Sequence, residues 1–370
     1  MIKRIKILAT GALLLAGLGA CSPSGKKTGA DSTVDTLRTT ETVNLLNNLR
    51  KVPTQGIMFG HHDDPLYGVG WEGDEDRSDV KSVCGDYPAV MSFDLGHIEL
   101  EREKSLDNVP FRKIRQETIN QYKRGGVVSF SWHLDNPLTG KDAWDVSDTT
   151  VVASILPGGV HHAKFISWLD AVAAFMNTLE TEEGTKIPVI FRPWHEHTGS
   201  WFWWGQNLCT ADQYKALWRM THDRMHARGV KNLLYAYSPG SEPKDSTVYL
   251  ERYPGDKYVD VVGMDNYWDF RPDGGDTSLV VLKARILTQY AQKHGKLSAI
   301  TETGTQTRDS LWYTQLLSIL RSEGVALNYV CTWSGFSPYK GHPAAADFCR
   351  FKRDTLVLFA DEIPNFYTWH

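Results

Sequence analysis

The stretch from Val189 to Glu196, VIFRPWHE, is a short apolar run that ends in charged and aromatic side chains, and HTGSWFWW continues it to Trp204. An apolar, β-branched run of this length is typical of a buried strand. Burying Arg192, His195, Glu196 and His197 together without partners would carry a large desolvation cost. The stretch therefore predicts a strand whose trailing end lines a cleft.

The same pattern recurs along the chain, and amphipathic helical patterns lie between its copies. The seven further runs are Gly56 to His62, Ala89 to Leu95, Val127 to His133, Asn232 to Pro239, Val259 to Tyr267, Leu297 to Gly304 and Leu327 to Gly335. The helical patterns are Pro110 to Arg124, His162 to Glu180, Thr210 to Arg228, Ser278 to His294 and Asp309 to Glu323. This alternation predicts an α/β protein with a single (β/α)₈ TIM barrel. A doubly wound open sheet, which would usually carry a phosphate-binding Gly-rich turn after an early strand, is the rival fold.

Polar residues cluster at the trailing ends of these runs, which is where a barrel of this kind carries its active site. We therefore expect one shared cleft to contain His61, His62, Asp94, His133, Glu196, Ser238, Asp265, Tyr267, Glu302 and Trp333.

Composition narrows the classes of partner. The 370 residues carry a formal net charge of -4, with no basic run beyond the extreme N-terminus, so nucleic acid is not an expected partner. The chain contains 13 Trp, and indole rings commonly stack on the apolar faces of sugars, although most Trp serve packing.

The N-terminus predicts export. Residues Met1 to Cys21 combine early Lys and Arg with a short apolar run and small residues before Cys21, which resembles a bacterial lipoprotein signal. Cys21 would carry the lipid, residues 22–38 would be a flexible tether, and residues 39–370 would be the catalytic domain. The expected location is the outer membrane, on its periplasmic or cell-surface side, with the lipid as the only membrane contact. A cleaved signal with an incidental Cys is the alternative.

The remaining cysteines give no metal motif. Cys84, Cys209, Cys331 and Cys349 lack CxxC spacing, so a zinc site is not expected. They allow three complete disulfide pairings, between which the sequence does not choose. Cys331 lies in an apolar run, and we expect it to be a buried free thiol.

Two carboxylates at different strand ends suggest a reaction. Glu196 ends the fourth run and Glu302 lies in the seventh. Glycosidic hydrolysis uses such a pair, about 5 to 5.5 Å apart for retention of configuration and about 6.5 to 9.5 Å apart for inversion.

Four motifs resemble one family of these enzymes. The runs FGHHDDPLYG, RPWHEHTGSWFWWG, GMDNYW and AITETG are similar to those of glycoside hydrolase family 26, the β-mannanases, within the large clan of (β/α)₈ retaining glycosidases. The resemblance implies an enzyme that acts on β-mannan polysaccharide or manno-oligosaccharides without a cofactor. We expect no catalytic metal, because HExxH is absent and the carboxylate pair already accounts for the chemistry, and we expect a monomer. One departure is His62, where Gln is more usual in the family.

The resemblance also assigns roles to residues. It makes Glu196 the acid/base and Glu302 the nucleophile. The other roles it implies are sugar contacts for His133 and His195, a hydrogen bond to the nucleophile for Tyr267, a stacking floor for Trp333, and a position toward the leaving sugar for Trp201.

Several alternatives stay open at this point. The cluster from His61 to Asp64 could be a metal site of His and carboxylate ligands. The protein could bind glycans without cleaving them, or the barrel could act as a glucanase or xylanase. Internal cleavage and mannobiose release are both compatible with the sequence, and the segment Asp135 to Gly159 is long enough to wall off one end of a groove.

Overall fold

Eight parallel strands form a closed barrel in the computed structural model, which describes residues 37–305, 309–335 and 338–368. Strand β1 pairs with both β2 and β8 and thereby closes the sheet. The strands are β1 Ile57–His62, β2 Val90–Asp94, β3 Val127–Ser131, β4 Val189–Arg192, β5 Leu233–Tyr237, β6 Val261–Asp265, β7 Leu297–Thr303 and β8 Tyr329–Thr332. A short strand, Val357–Leu358, adds to β1, and Tyr67–Gly68 pairs with Trp71–Glu72 in a small hairpin. The predicted (β/α)₈ barrel is confirmed.

Helices occupy the intervals between the strands. They are α1 Thr40–Leu49, α2 Asp79–Cys84, α3 Phe111–Lys123, α4 Val151–Ile155, α5 His162–Asn177, α6 Ala211–Ala227, α7 Ser246–Leu250, α8 Thr277–His294, α9 Trp312–Leu320 and α10 Ala345–Lys352. Helix α6 begins at a capping box, in which the Thr210 hydroxyl accepts from the backbone N–H of Gln213 and the Gln213 side chain accepts in return. No helix in the described part of the chain is both long and apolar enough to cross a bilayer.

Two apolar clusters follow from the alternation of side chains along each strand. In β4, Ile190 belongs to the cluster inside the barrel, whereas Val189 and Phe191 belong to the cluster between strands and helices. Leu45 and Leu49 of α1 join the inner cluster. Helix α1 therefore closes the end of the barrel opposite to the trailing ends of the strands, which leaves the trailing ends for the cleft.

Three helix boundaries differ from the sequence prediction by three residues, the end of α5 and both ends of α9, and two of these differences have a local cause. Helix α5 ends at Asn177 rather than at Glu180, because Glu180 forms an antiparallel bridge with Lys186. Helix α9 begins at Trp312 rather than at Asp309, because the Asp309 carboxylate accepts from the backbone N–H of Leu311 in the turn before the helix.

The N-terminal predictions fall mostly outside the described residues. This applies to the signal, to Cys21 and to residues 22–36 of the tether. Arg38, which the sequence analysis counts in the tether, lies against the barrel and donates two 2.8 Å hydrogen bonds to Asp260. All four cysteines of the folded part are free thiols, including the buried Cys331.

Candidate active site

A cavity of about 400 Å³ opens at the trailing ends of the barrel strands, as predicted. It brings together seven of the sequence-predicted site residues: His133, Glu196, Trp201, Asp265, Tyr267, Glu302 and Trp333. Four other residues expected in the cleft do not line this cavity: His61, His62, Asp94 and Ser238. His195 does not line the cavity and lies one layer behind it, with 1% of its surface exposed. Cys21 lies outside the described residues.

Glu196 is held at the cavity wall by an irregular turn after β4. Trp194 and Glu196 both adopt left-handed backbone conformations, with φ of 58° and 51°. The Glu196 N–H donates to the Ser238 carbonyl at 2.8 Å, and the indole N–H of Trp201 donates to the Glu196 carboxyl group at 2.7 Å. Burial, followed by the charge of Glu302, raises the pKa of Glu196 well above its usual value. Glu196 therefore keeps its proton to a higher pH than an ordinary glutamate.

Glu302 lies across the cavity and is bonded at both oxygens. The Tyr267 hydroxyl donates to one oxygen at 2.8 Å, and the Arg192 guanidinium donates to the other at 2.5 Å. Arg192 is buried and also donates to Asp265 at 2.7 Å. One cation thus stabilises two neighbouring carboxylates.

Asp265 and Glu302 come together because the register between β6 and β7 shifts. Met264 pairs with Ile300, whereas Asp265 pairs with Glu302, so the irregularity falls at Thr301. The Thr301 hydroxyl donates to Asp265 at 2.7 Å. Burial raises the pKa of Asp265 to about 7, with Arg192 opposing the change and Glu302 adding to it.

The sequence alone predicts no specific role for Arg192 or Asp265. Arg192 was part of the quoted stretch, and Asp265 was expected in the cleft, but only the folded register shows that they form one ion-pair network with Glu302. The sequence signal for this network is Arg192 itself, a single cation at the end of an otherwise apolar strand. A buried cation requires an opposite charge nearby, so Arg192 predicts a carboxylate partner.

A chain of buried polar groups lies on another wall of the cavity. The Nδ1 atom of His133 lies 2.7 Å from the Asp94 carboxylate, and its Nε2 atom lies 3.0 Å from Nε2 of His195. Burial, followed by the charge of His133, lowers the pKa of His195 well below its usual value. His195 is therefore neutral, and His133 lies between it and the cavity.

The aromatic residues separate into two groups. Trp71, Trp203 and Trp204 are buried and serve packing. Trp144 and Trp268 both line the cavity and are 48% and 58% exposed. Trp144 stacks on His133, with ring centroids 5.5 Å apart, so the segment Asp135 to Gly159 contributes to the cavity wall.

His62 supports Trp333 from outside the cavity. The two rings are stacked, with centroids 3.7 Å apart and planes inclined by 12°, and His62 does not itself line the cavity. Burial alone would lower the pKa of His62, but the Asp63 carboxylate, 3.1 Å away, raises it together with the charges of Glu302 and Asp94, and the net change is upward. His62, the position at which the resemblance led us to expect Gln, is thus in direct contact with the predicted stacking floor.

The carboxylates of Asp63 and Asp64 accept hydrogen bonds from groups in their own loop. Asp63 accepts a 2.5 Å hydrogen bond from the Tyr67 hydroxyl, and Asp64 accepts from the Ser78 hydroxyl and the Asp79 N–H. These bonds give the two aspartates a structural role in shaping the barrel mouth, which offers no support for the metal-site alternative.

Comparison with known proteins identifies relatives over the whole barrel. Residues 34–322 match the family described as Glycosyl hydrolase family 26. The solved structure of a GH26 β-mannanase from Bacteroides ovatus superposes with a TM-score of 0.86 at 51% sequence identity, covering 90% of this chain and 98% of that chain. A mannan endo-1,4-β-mannosidase from Bacillus subtilis is 28% identical over 90% of this chain and 89% of that protein.

A mannan endo-1,4-β-mannosidase from Bifidobacterium adolescentis is 34% identical over 96% of this chain, and the chain spans 39% of that longer protein. The match of residues 34–322 includes β4, with Arg192 at its end, and β7, which contains Glu302. The family that the motifs resembled is therefore confirmed: this chain belongs to glycosyl hydrolase family 26.

Proposed function

We propose that this protein is a mannan endo-1,4-β-mannosidase that hydrolyses β-1,4-mannosidic bonds with retention of configuration. Relatives that align along nearly the whole chain carry this enzyme name. The observation that carries the proposal is the unequal environment of two carboxyl groups in one cavity. Glu196 is half-buried and its pKa is raised, whereas Glu302 accepts hydrogen bonds from Arg192 and Tyr267.

In the first step, a Glu302 carboxylate oxygen attacks the anomeric carbon, and the bond from that carbon to the leaving oxygen breaks. Glu196 transfers its proton to the leaving oxygen, so the departing chain is released as an alcohol. Arg192 and Tyr267 hold the attacking carboxylate in one orientation, which reduces the entropy cost of the attack.

In the second step, water attacks the anomeric carbon of the glycosyl ester and Glu196 removes its proton. Ester formation removes the charge of Glu302, which is the largest contribution to the raised Glu196 pKa after burial. The pKa of Glu196 therefore falls once the ester has formed, and the same group acts as a base. Cleavage of the ester bond restores Glu302.

The test compares wild type with Glu302→Gln and Glu196→Gln on β-mannan. Wild type should release new reducing ends, and NMR should show that the first product has the β configuration. Both variants should fold but lose turnover of mannan. With an aryl β-mannobioside, azide should restore turnover of Glu196→Gln and yield the β-azide, because a small anion needs no base. Folded wild type that binds mannan without releasing reducing ends would instead identify a glycan-binding protein.

We also infer that the protein is an exported lipoprotein that acts as a monomer. The support is the sequence before Cys21, where an apolar run and small residues precede the cysteine. Mass spectrometry of the mature protein should find diacylglycerol on Cys21, and Cys21→Ser should release the enzyme from the membrane fraction. Membrane retention of that variant would contradict the anchor.

A further inference from the structure

A buried arginine, Arg252, lies behind the loop that carries Glu196, and none of the roles assigned so far uses it. This loop, residues 196–210, contains neither helix nor strand and is here called the acid loop. Arg252 belongs to a different part of the barrel, because it follows α7 in the connection between β5 and β6. Its side chain nevertheless crosses to the acid loop, which follows β4.

The Arg252 guanidinium donates to backbone carbonyls at both ends of the acid loop. Its Nη1 atom donates to the His197 carbonyl at 2.8 Å and to the Trp204 carbonyl at 3.4 Å. Its Nη2 atom donates to the Cys209 carbonyl at 2.5 Å and to the Thr210 carbonyl at 3.4 Å. One planar group therefore connects the residue after the acid to the residues at which the loop enters α6.

These carbonyls balance a charge that would otherwise be costly to bury. In the described part of the chain no carboxylate forms an ion pair with Arg252, which also contacts the Cys209 thiol at 3.1 Å and the face of the Tyr214 ring at 4.8 Å. Carbonyls of an irregular loop lack the partners that a helix or sheet supplies, and they need donors when they are buried. The cation and the loop thus stabilise each other, and only a planar fork with several donors can reach all four carbonyls.

Glu196 lies between points of the backbone that are held in this way. The Tyr214 hydroxyl donates at 2.8 Å to the carbonyl of Trp194, two residues before Glu196, and Arg252 holds the carbonyl of the next residue. Trp201, whose indole N–H donates to the Glu196 carboxyl group, lies along the chain between the two carbonyls that Nη1 binds. A shift of the acid loop would therefore displace the acid and its hydrogen-bond donor together.

We propose that Arg252 is a positioning residue for proton transfer to the leaving oxygen, because its bonds to both ends of the acid loop hold Glu196 and Trp201 beside the bond that is cleaved. The proposal rests on the proposed function, since it takes Glu196 as the acid. Arg252 does not line the cavity, and Glu302 is held by groups on other strands. Loss of Arg252 should therefore weaken protonation of the leaving group more than the attack by Glu302.

The test uses two substrates of similar size that differ in their need for a proton. The leaving group of 2,4-dinitrophenyl β-mannobioside departs without protonation, whereas that of phenyl β-mannobioside requires the acid. Arg252→Lys keeps the positive charge but cannot bond both ends of the acid loop. We expect it to lower kcat/KM for the phenyl substrate about tenfold more than kcat/KM for the dinitrophenyl substrate. Arg252→Met, which removes every hydrogen bond to the loop, should give a larger difference.

Arg219→Lys is the matched control, because Arg219 also donates to a carbonyl, that of Pro254 at 2.8 and 3.0 Å, and lies over a tyrosine ring, that of Tyr258. Neither partner belongs to the acid loop, so this variant should show equal losses on the two substrates. Rates are measured where circular dichroism shows each variant to be folded, and Arg252→Lys decides the question if Arg252→Met does not fold. Equal losses in Arg252→Lys would overturn the positioning role while leaving the proposed function intact. Failure of wild type to cleave either substrate would overturn both.

Discussion

Replacement of Asp94 by Asn tests whether the buried chain from Asp94 through His133 to His195 positions the cavity wall. Asp94 is 1% exposed and accepts four hydrogen bonds. One oxygen accepts from the backbone N–H groups of Gly96 at 2.7 Å and His133 at 3.2 Å. The other accepts from the Ser131 hydroxyl at 2.6 Å and from Nδ1 of His133 at 2.7 Å. Burial opposes ionisation, but the charge and hydrogen bond of His133 outweigh it and hold the pKa of Asp94 well below its usual value.

The geometry determines how an asparagine would fit. Backbone N–H groups have no freedom to turn away, so the amide oxygen must face Gly96 and the amide NH₂ must face Ser131 and His133. Nδ1 of His133 would then have to accept, which leaves the ring neutral with its proton on Nε2 and fixes the direction of the bond to His195. We expect Asp94→Asn to lower the free energy of unfolding by about 2 kcal/mol, which is the contribution of one charge-assisted hydrogen bond. The same loss in transition-state binding corresponds to about a thirtyfold decrease in kcat/KM.

The assay combines kinetics on mannohexaose with thermal unfolding at several pH values. The depressed pKa of Asp94 stabilises the fold fully above the unfolded pKa of about 3.9, and this contribution is lost as pH falls through the folded-state value. The difference in stability between wild type and Asp94→Asn should therefore be constant at neutral pH and shrink in acid. Unchanged kcat/KM in a folded Asp94→Asn variant would refute the positioning role. A difference in stability that grew in acid would refute the charge argument.

Three further predictions follow from contacts around the two carboxylates. His62→Ala removes the ring behind Trp333. Because an aromatic pair contributes about 0.5 to 1.5 kcal/mol, the change should lower kcat/KM on mannan about two- to tenfold, and His62→Gln should restore part of the activity. Equal activity in wild type and both variants would show that His62 does not support Trp333. Gly199→Ala would place its Cβ 2.2 Å from the Trp201 ring, so the ring must move and its hydrogen bond to Glu196 is disturbed. We expect a lower kcat/KM at an almost unchanged melting temperature. Wild-type activity in this variant would show that the hydrogen bond from the Trp201 indole to Glu196 is dispensable. The raised pKa of Glu196 means that kcat/KM should fall as pH rises through that pKa, and Glu196→Gln should lack this alkaline limb on an activated aryl substrate; persistence of the limb would assign it to another group.

The fold could be predicted closely because its signal is periodic. Alternation of apolar runs and helical patterns located each barrel strand within a few residues, for example Gly56 to His62 against the observed Ile57–His62. Helix ends were less predictable, since the end of α5 depends on a bridge between Glu180 and Lys186 that local sequence does not reveal. Periodicity thus reports burial, whereas boundaries depend on contacts with other segments.

The site could be predicted only in part, for a related reason. Residue type and strand-end position predict that Glu196 and Glu302 lie in the cleft. Which side chains form ion pairs and hydrogen bonds with them depends on the register between neighbouring strands. The shift that brings Asp265 level with Glu302 is a property of the folded pair of strands. The sequence also does not predict which Trp side chains are exposed. Trp204 and Trp268 both lie in motifs rich in polar and aromatic residues, and only packing in the folded protein buries Trp204 and leaves Trp268 exposed.

The shared cation gives the site a charge balance that changes during turnover. In the free enzyme Arg192 faces both Asp265 and Glu302, and the pKa of Asp265 is raised to about 7 by burial, with Glu302 adding to the effect of burial. In the proposed mechanism, formation of the glycosyl ester neutralises Glu302, so Arg192 would then face a single carboxylate and the pKa of Asp265 would fall. The same event lowers the pKa of Glu196, because it removes the charge that disfavoured its ionisation. One covalent bond therefore shifts two other carboxyl groups toward their charged forms, and only Glu196 adjoins the leaving side, where the attacking water enters.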